Sequence, residues 1–201
     1  QPGIETRPIR LIAGESPFCE TFFNDARAEK SELLGPLNGG WTVGKRLLQH
    51  ERQSQTDARG AGGAAAKKTI QQLALDYIGS DSQGRLDDRD LRARLAAVLM
   101  EEKAQRLTVS RIMAEARGNA KVSATASILK NAASTVSQEK AELAIEIMGH
   151  QGLGWEGDSF EAHELEAVRH WLSGKAMTIY GGSAEIQNNI IAKNILGLPE
   201  T

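Results

Sequence analysis

The apolar positions of this chain change their spacing near Trp41. Before it they come in short runs. Ile4-Glu5-Thr6-Arg7-Pro8-Ile9-Arg10-Leu11-Ile12 predicts a strand, with Pro8 marking an edge or a bulge because proline gives no N–H to a ladder. Phe18-Cys19-Glu20-Thr21-Phe22-Phe23 predicts a second short strand, and Asn24-Asp25 and Gly35-Pro36 punctuate the stretch between it and Trp41. Two strands with so little core do not stand alone. They call for a sheet whose other strands lie upstream of Gln1.

After Trp41 the spacing is helical. Trp41, Lys45, Leu48 and Arg52 recur at turn intervals, with Val43 and Leu47 beside them. Gly60-Ala61-Gly62-Gly63 interrupts this segment, and Ala64 to Tyr77 resumes it. Gly79 to Gly84 reads as a polar loop. Asp87-Asp88 offers an N-cap for a long helix through Leu91, Leu95, Val98 and Leu99 to about Ala116, closed by Gly118-Asn119. A further long helix runs from about Val122 to Met148. Gly149 to Gly157 is glycine-rich and reads as a loop. A helix over Glu161 to Trp171 comes next, and a last one starts near Ser183 and stops before Gly197 and Pro199. No solenoid repeat is present. The fold class is therefore mainly α: an antiparallel four-helix-type bundle over residues 38–201, preceded by a β fragment over residues 1–37.

Composition narrows the function less than the pattern does. The 201 residues suffice for one good core or two small ones, and 40% hydrophobic with 25% charged residues is ordinary for a soluble globular protein. A net charge of -2 argues against nucleic acid or an anionic membrane as partner. Cys19 is the sole cysteine, which fits a reducing, cytoplasmic compartment of bacterial type, with the mitochondrial matrix an alternative. No apolar run predicts a membrane span, and the first residues have neither the basic start nor the apolar stretch of a signal peptide.

The stretch Ile179-Tyr180-Gly181-Gly182-Ser183-Ala184-Glu185-Ile186-Gln187-Asn188-Asn189-Ile190-Ile191-Ala192-Lys193-Asn194-Ile195-Leu196-Gly197-Leu198-Pro199 closely resembles the C-terminal signature of acyl-CoA dehydrogenases. Pro8-Ile9-Arg10, Phe22-Phe23-Asn24-Asp25-Ala26-Arg27 and Gly39-Gly40-Trp41 before a helix carrying Glu51-Arg52 resemble further family segments, in the family's order. The resemblance covers nearly the whole chain. It implies the end of a middle β domain and all of a C-terminal helical domain, without the upstream segments that hold much of the flavin. It also implies FAD at a subunit interface, an acyl-CoA substrate, an electron-transfer flavoprotein or similar acceptor, and assembly into homo- or hetero-oligomers, usually tetramers, through the helices.

The implied reaction is α,β-dehydrogenation: a base takes an α-proton while hydride leaves the β-carbon for the flavin. The base is a carboxylate held near neutral pKa by desolvation, at about 6–7 in such sites. Many relatives place it directly after the tyrosine of the C-terminal motif, where this chain has Gly181, which carries no base. A branch resembling isovaleryl-CoA dehydrogenases places it on the first helix of the C-terminal domain, directly before an arginine. Glu51-Arg52 matches that pair, which makes Glu51 the candidate base and Arg52 its neighbour. A solvated ion pair on a helix face is the competing reading. Gln49 falls where some relatives contact the pantetheine arm, and Tyr180 and Gly181 face the same substrate.

Ser183 and Glu185 occupy positions that contact the adenosine and pyrophosphate side of FAD in relatives, and a helix N-terminus suits phosphate. Ser183 also suits a plain helix cap, without a capping box because Ile186 stands where Glu or Gln is needed. Gly182 beside Gly181 allows close approach to the flavin. Glu146, Gly149 and Gly152 match a segment that reaches a neighbour's FAD, although Glu146 replaces the usual glutamine and brings an anion toward a pyrophosphate. An ordinary glycine-rich helix end is the alternative there. Between Ile78 and Arg94 the arginine-and-Phe-Gly motif of many relatives is missing, a pattern resembling a divergent bacterial branch in which some active chains pair with silent ones. A non-catalytic subunit that completes a partner's FAD site is therefore the second reading, and an acyl-CoA oxidase the third. Neither a DNA-associated offshoot nor a plain oligomerisation bundle fits as well. The first meets the net charge, and the second leaves Tyr180–Pro199 unexplained.

Overall fold

The computed structural model describes residues 2–58, 68–117 and 125–199, without the side chains of residues 49, 51–58 and 115–117. The chain divides into two compact units, Gln1–Lys67 and Lys68–Thr201.

In the first unit β1 (Ile4–Ile9) pairs antiparallel with β2 (Phe18–Phe23), Ile4 opposite Phe23 and Ile9 opposite Phe18. The first strand ends at Ile9 rather than Ile12, because Leu11 turns the chain: its N–H bonds the Glu15 carbonyl at 2.8 Å and its carbonyl takes the Gly14 N–H at 2.9 Å. Pro8 sits in register opposite Cys19 without a bulge, tolerated because both strands of a two-stranded sheet are edges. A short 3₁₀ turn at Lys30–Glu32 precedes α1 (Gly40–Ala58). The glycine run at 60–63 lies outside the described residues.

The second unit is a helical bundle built around one element. α4 (Thr125–Met148) packs against α2 (Ile70–Tyr77), α3 (Arg89–Arg117), α5 (Ala162–Gly174) and α6 (Ala184–Asn194). Ile70, Leu73 and Ala74 of α2, Leu91, Leu95 and Val98 of α3, and Val136, Leu143, Ile147 and Met148 of α4 form one buried cluster. Leu91, Leu95 and Val98 follow the 3.6-residue period, which is why a face of α3 can be buried at all. α2 starts at Ile70, later than the pattern at 64–77 predicts. Thr69 caps it: the Thr69 hydroxyl accepts from the Gln72 N–H at 3.2 Å, and the Gln72 side chain accepts from the Thr69 N–H at 3.0 Å. Asp88 caps α3 as expected, its carboxylate accepting from the Leu91 N–H at 2.9 Å.

One stretch departs from the loop reading. Gly149–Leu153 is a 3₁₀ turn, continuing α4 more tightly. Gly149 at φ +55° turns the chain, and Gly152 approaches so closely that a Cβ there would lie 2.5 Å from the Ile145 carbonyl oxygen. Beyond α5, Lys175–Thr178 forms another 3₁₀ turn, held by Ser134 Oγ donating to the Met177 carbonyl at 3.1 Å.

Candidate functional site

The candidate base falls on α1. The helix backbone runs through Gln49, Glu51 and Arg52, whose side chains lie outside the described residues.

In the second unit the candidate residues form two groups. The first is the turn into α6. Tyr180 and Gly181 are exposed, and Gly181 and Gly182 both adopt left-handed backbone, at φ +68° and +93°. Two consecutive residues of that kind require glycine. Ser183 comes next as the N-cap, its hydroxyl oxygen accepting from the Ile186 N–H at 3.5 Å. Glu185 lies in the first turn of α6. Hydrogen bonds from the Ser183 hydroxyl and from its own N–H hold its carboxyl below the usual range. The turn therefore carries one capping hydroxyl, a helix N-terminus and a carboxylate on the surface. Beneath it lies Gln187, a buried polar residue that motif reading passed over. Its Nε2 donates to the Gly181 carbonyl at 2.9 Å.

The second group is the end of α4. Glu146 does not stand as a lone anion: both of its oxygens receive Arg94 guanidinium hydrogens, each at 2.6 Å. This bidentate pairing lowers its pKa below the usual carboxylate range. Gly149 and Gly152 shape the 3₁₀ turn beyond it. α6 meets α4 near its start, with Asn131 Nδ2 donating to Asn188 Oδ1 at 2.8 Å, while Glu146 lies near its end. From Ser134 to Glu146 the helix rises about 18 Å. The fold thus keeps the two groups apart within one chain.

The stretch 79–87, where the arginine-and-Phe-Gly motif is missing, is ordered around Asp81. Its carboxylate accepts from the Gln83 and Arg85 N–H groups and from the Arg85 guanidinium, all at 2.9 Å, which depresses its pKa, the Arg85 N–H contributing most. A cleft of about 310 Å³ beside it is lined by Asp81, Arg85, Leu86, Asp87, Arg89 and Arg92.

A third cluster had no motif to announce it. Glu164, 2% exposed, accepts from the Tyr77 hydroxyl through Oε1 and from the Glu161 N–H through Oε2, the latter at 2.7 Å. His163 Nε2 lies 3.1 Å from the same Tyr77 oxygen. Burial and the Glu164 carboxylate push the Tyr77 pKa up. The Glu161-x-x-Glu164 spacing is the signal that could have found half of it, because it is a capping box at the start of α5.

Residues 38–196 match the family acyl-CoA dehydrogenase, C-terminal domain. The chain belongs to the acyl-CoA dehydrogenase family. The acyl-CoA dehydrogenase IpdE1 of Mycolicibacterium smegmatis is 35% identical over 200 residues, covering 99% of this chain and 47% of the relative. IpdE1 of Mycobacterium tuberculosis is 32% identical over 203 residues, 99% of this chain and 49% of that protein. Among solved structures, the ChsE4–ChsE5 complex from Mycobacterium tuberculosis superposes with a TM-score of 0.74 at 20% identity, over 99% of this chain and 51% of that one. The chain spans about half the length of the relatives it matches. Among the described residues no helix is long and apolar enough to cross a membrane, and no group of three or more His, Cys, Asp or Glu could hold a metal.

Proposed function

We propose that this chain is the C-terminal portion of an FAD-dependent acyl-CoA dehydrogenase that uses Glu51 as its base. The observation that carries the reading is the Tyr180–Ser183 turn. In a member of this family, it puts glycine at 181 and leaves the proton-abstracting role to another segment. Glu51, directly before Arg52 on α1, is the carboxylate that fills it, and both fall within the family match over residues 38–196. The Glu51 carboxylate takes the α-proton of the thioester, and Arg52 balances its charge. Gln49, Tyr180 and Gly181 line the acyl-CoA.

The turn fits FAD. A Cβ on Gly182 would fall 2.5 Å from Gln187 Nε2, so any side chain there would displace the Gln187 amide beneath the turn. The N-terminus of α6 beside it is open to solvent on one side. Gly182 and Ser183 would hold the cofactor, with Glu185 accepting from ribose hydroxyls rather than meeting phosphate, since its carboxyl is firmly ionised. When bound, FAD accepts the hydride from the β-carbon. Glu146, Gly149 and Gly152, about 18 Å along α4 from the contact with the 3₁₀ turn before Tyr180, would serve the cofactor of a neighbouring copy or partner. An electron-transfer flavoprotein or similar acceptor would reoxidise the flavin, in the cytoplasm of a bacterium.

The Arg94–Glu146 pair favours a second reading. With its charge matched by Arg94 of its own chain, Glu146 no longer brings a lone anion toward a neighbour's cofactor, and the ChsE4–ChsE5 structure is a complex of two different proteins. In that reading this chain is a non-catalytic subunit completing a partner's FAD site. The visible spectrum of the protein as its gene encodes it decides. Flavin colour that bleaches with an acyl-CoA thioester, and no longer does so in Glu51→Gln, supports the first reading. Bleaching that appears only when a partner subunit is added, and survives Glu51→Gln, supports the second. A colourless oligomer in every preparation overturns both.

A further inference from the structure

We infer that Gln187 is a positioning residue that sets the Gly181–Gly182 peptide so that the Gly182 N–H faces the cofactor. This rests on the FAD reading of the turn. Gln187 is 8% exposed, and its amide is spent on one carbonyl, that of Gly181, at 2.9 Å. The chain has no cis peptide among its described residues, and in a trans peptide the C=O and the following N–H point in opposite directions. Pinning the Gly181 carbonyl inward therefore turns the Gly182 N–H outward. That N–H has no acceptor among the described residues.

The same side chain also limits the turn sterically. Its Nε2 is the atom a Cβ at Gly182 would strike, at 2.5 Å. Left-handed backbone at both glycines brings the chain back over Gln187, so one buried amide fixes the height of the turn and the direction of its donor. The Gln187 N–H bonds the Ser183 carbonyl at 2.9 Å, so the residue is anchored in the first turn of α6 and moves with it. The outward N–H then adds to the N–H groups of that helix start as a donor to an oxygen of the flavin cofactor.

The test uses the protein as its gene encodes it, carrying Gln187→Met, which keeps length and removes the donor, or Gln187→Glu, which keeps shape and turns an oxygen toward the carbonyl. Hydrogen exchange at residues 181–186 should quicken in both while α3 and α4 stay protected. The dissociation constant for FAD, read from quenching of flavin fluorescence, should rise about tenfold, the loss of one oriented hydrogen bond. Unchanged exchange and unchanged FAD affinity would overturn the role of Gln187 and leave the flavin reading standing. Wild-type protein that binds no FAD would overturn the flavin reading and with it the cofactor-directed role. Should the variants fold poorly, the wild-type side-chain amide protons of Gln187 must exchange more slowly than those of exposed Gln72. Equal rates overturn the proposal.

Discussion

The N-termini of α5 and α6 carry the same ingredients and end differently. Each has an acidic side chain in its first turn and lies against α4. At α5, Glu164 is buried, caps the Glu161 N–H and takes the Tyr77 hydroxyl, so the helix start is consumed by structure. At α6, Ser183 caps alone, Ile186 occupies the place of the reciprocal carboxamide or carboxylate, and Glu185 stays on the surface. The difference teaches that a helix start becomes available to a ligand when the third position of the helix declines to close it. α2 repeats the closed form with Thr69 and Gln72, which makes α6 the open one among these three.

The comparison breaks most visibly at α5. Glu164→Ala removes an acceptor from a buried hydroxyl and undoes the box, so stability should fall by about 3 kcal/mol in a denaturant titration. A loss under 1 kcal/mol would mean the junction is not closed as described. Ser183→Ala at α6 should cost about 1 kcal/mol, as an ordinary cap does, but should weaken FAD binding more than Glu164→Gln does. The closed start can also be transplanted. Ile186→Gln offers α6 the box that Gln72 gives α2, and should raise stability by about 0.5 kcal/mol while lowering FAD affinity. If affinity is unchanged, the open start is not what a ligand uses. Smallest of all, Arg94→Ala should leave stability in a denaturant titration nearly unchanged, because both partners of its pair with Glu146 are near half-exposed and screened by solvent.

Acidity sharpens the same contrast. The Tyr77 pKa is raised in the folded protein, so its contribution is fully present below the ordinary tyrosine value near pH 10 and is lost as pH climbs above it. The thermal midpoint of the wild type should therefore fall more steeply above pH 10 than that of Tyr77→Phe. Glu146 and Glu185 act in the opposite direction. Their pKa values are depressed, so what they contribute is present above the ordinary glutamate value and fades as pH drops below it.

Much of this was legible in the chain itself where the cause is local. Asp88 and Ser183 announced two helix starts because capping depends on residues three positions away. The family signature announced the turn at Gly181. The glycine-rich stretch after Met148 misled, because glycine permits both a loop and the close packing of Gly152 on the Ile145 carbonyl, and only the partner decides. Arg94 and Glu146 are 52 residues apart, and Tyr77 and Glu164 are 87 apart, so no local rule joins them. Gln187 reads as one more polar residue on a surface helix until the turn folds over it.

The seam between α3 and α4 carries a consequence for assembly. Arg94 faces Glu146 at one end, and Glu102 faces Lys140 nearer the middle, so the signs alternate along the two antiparallel helices. Slide one helix past the other by about two turns and Arg94 meets Lys140, cation against cation. Each pair alone holds little, yet their order works like the teeth of a key. A slipped alignment sets like charges against each other, and the native one matches both pairs.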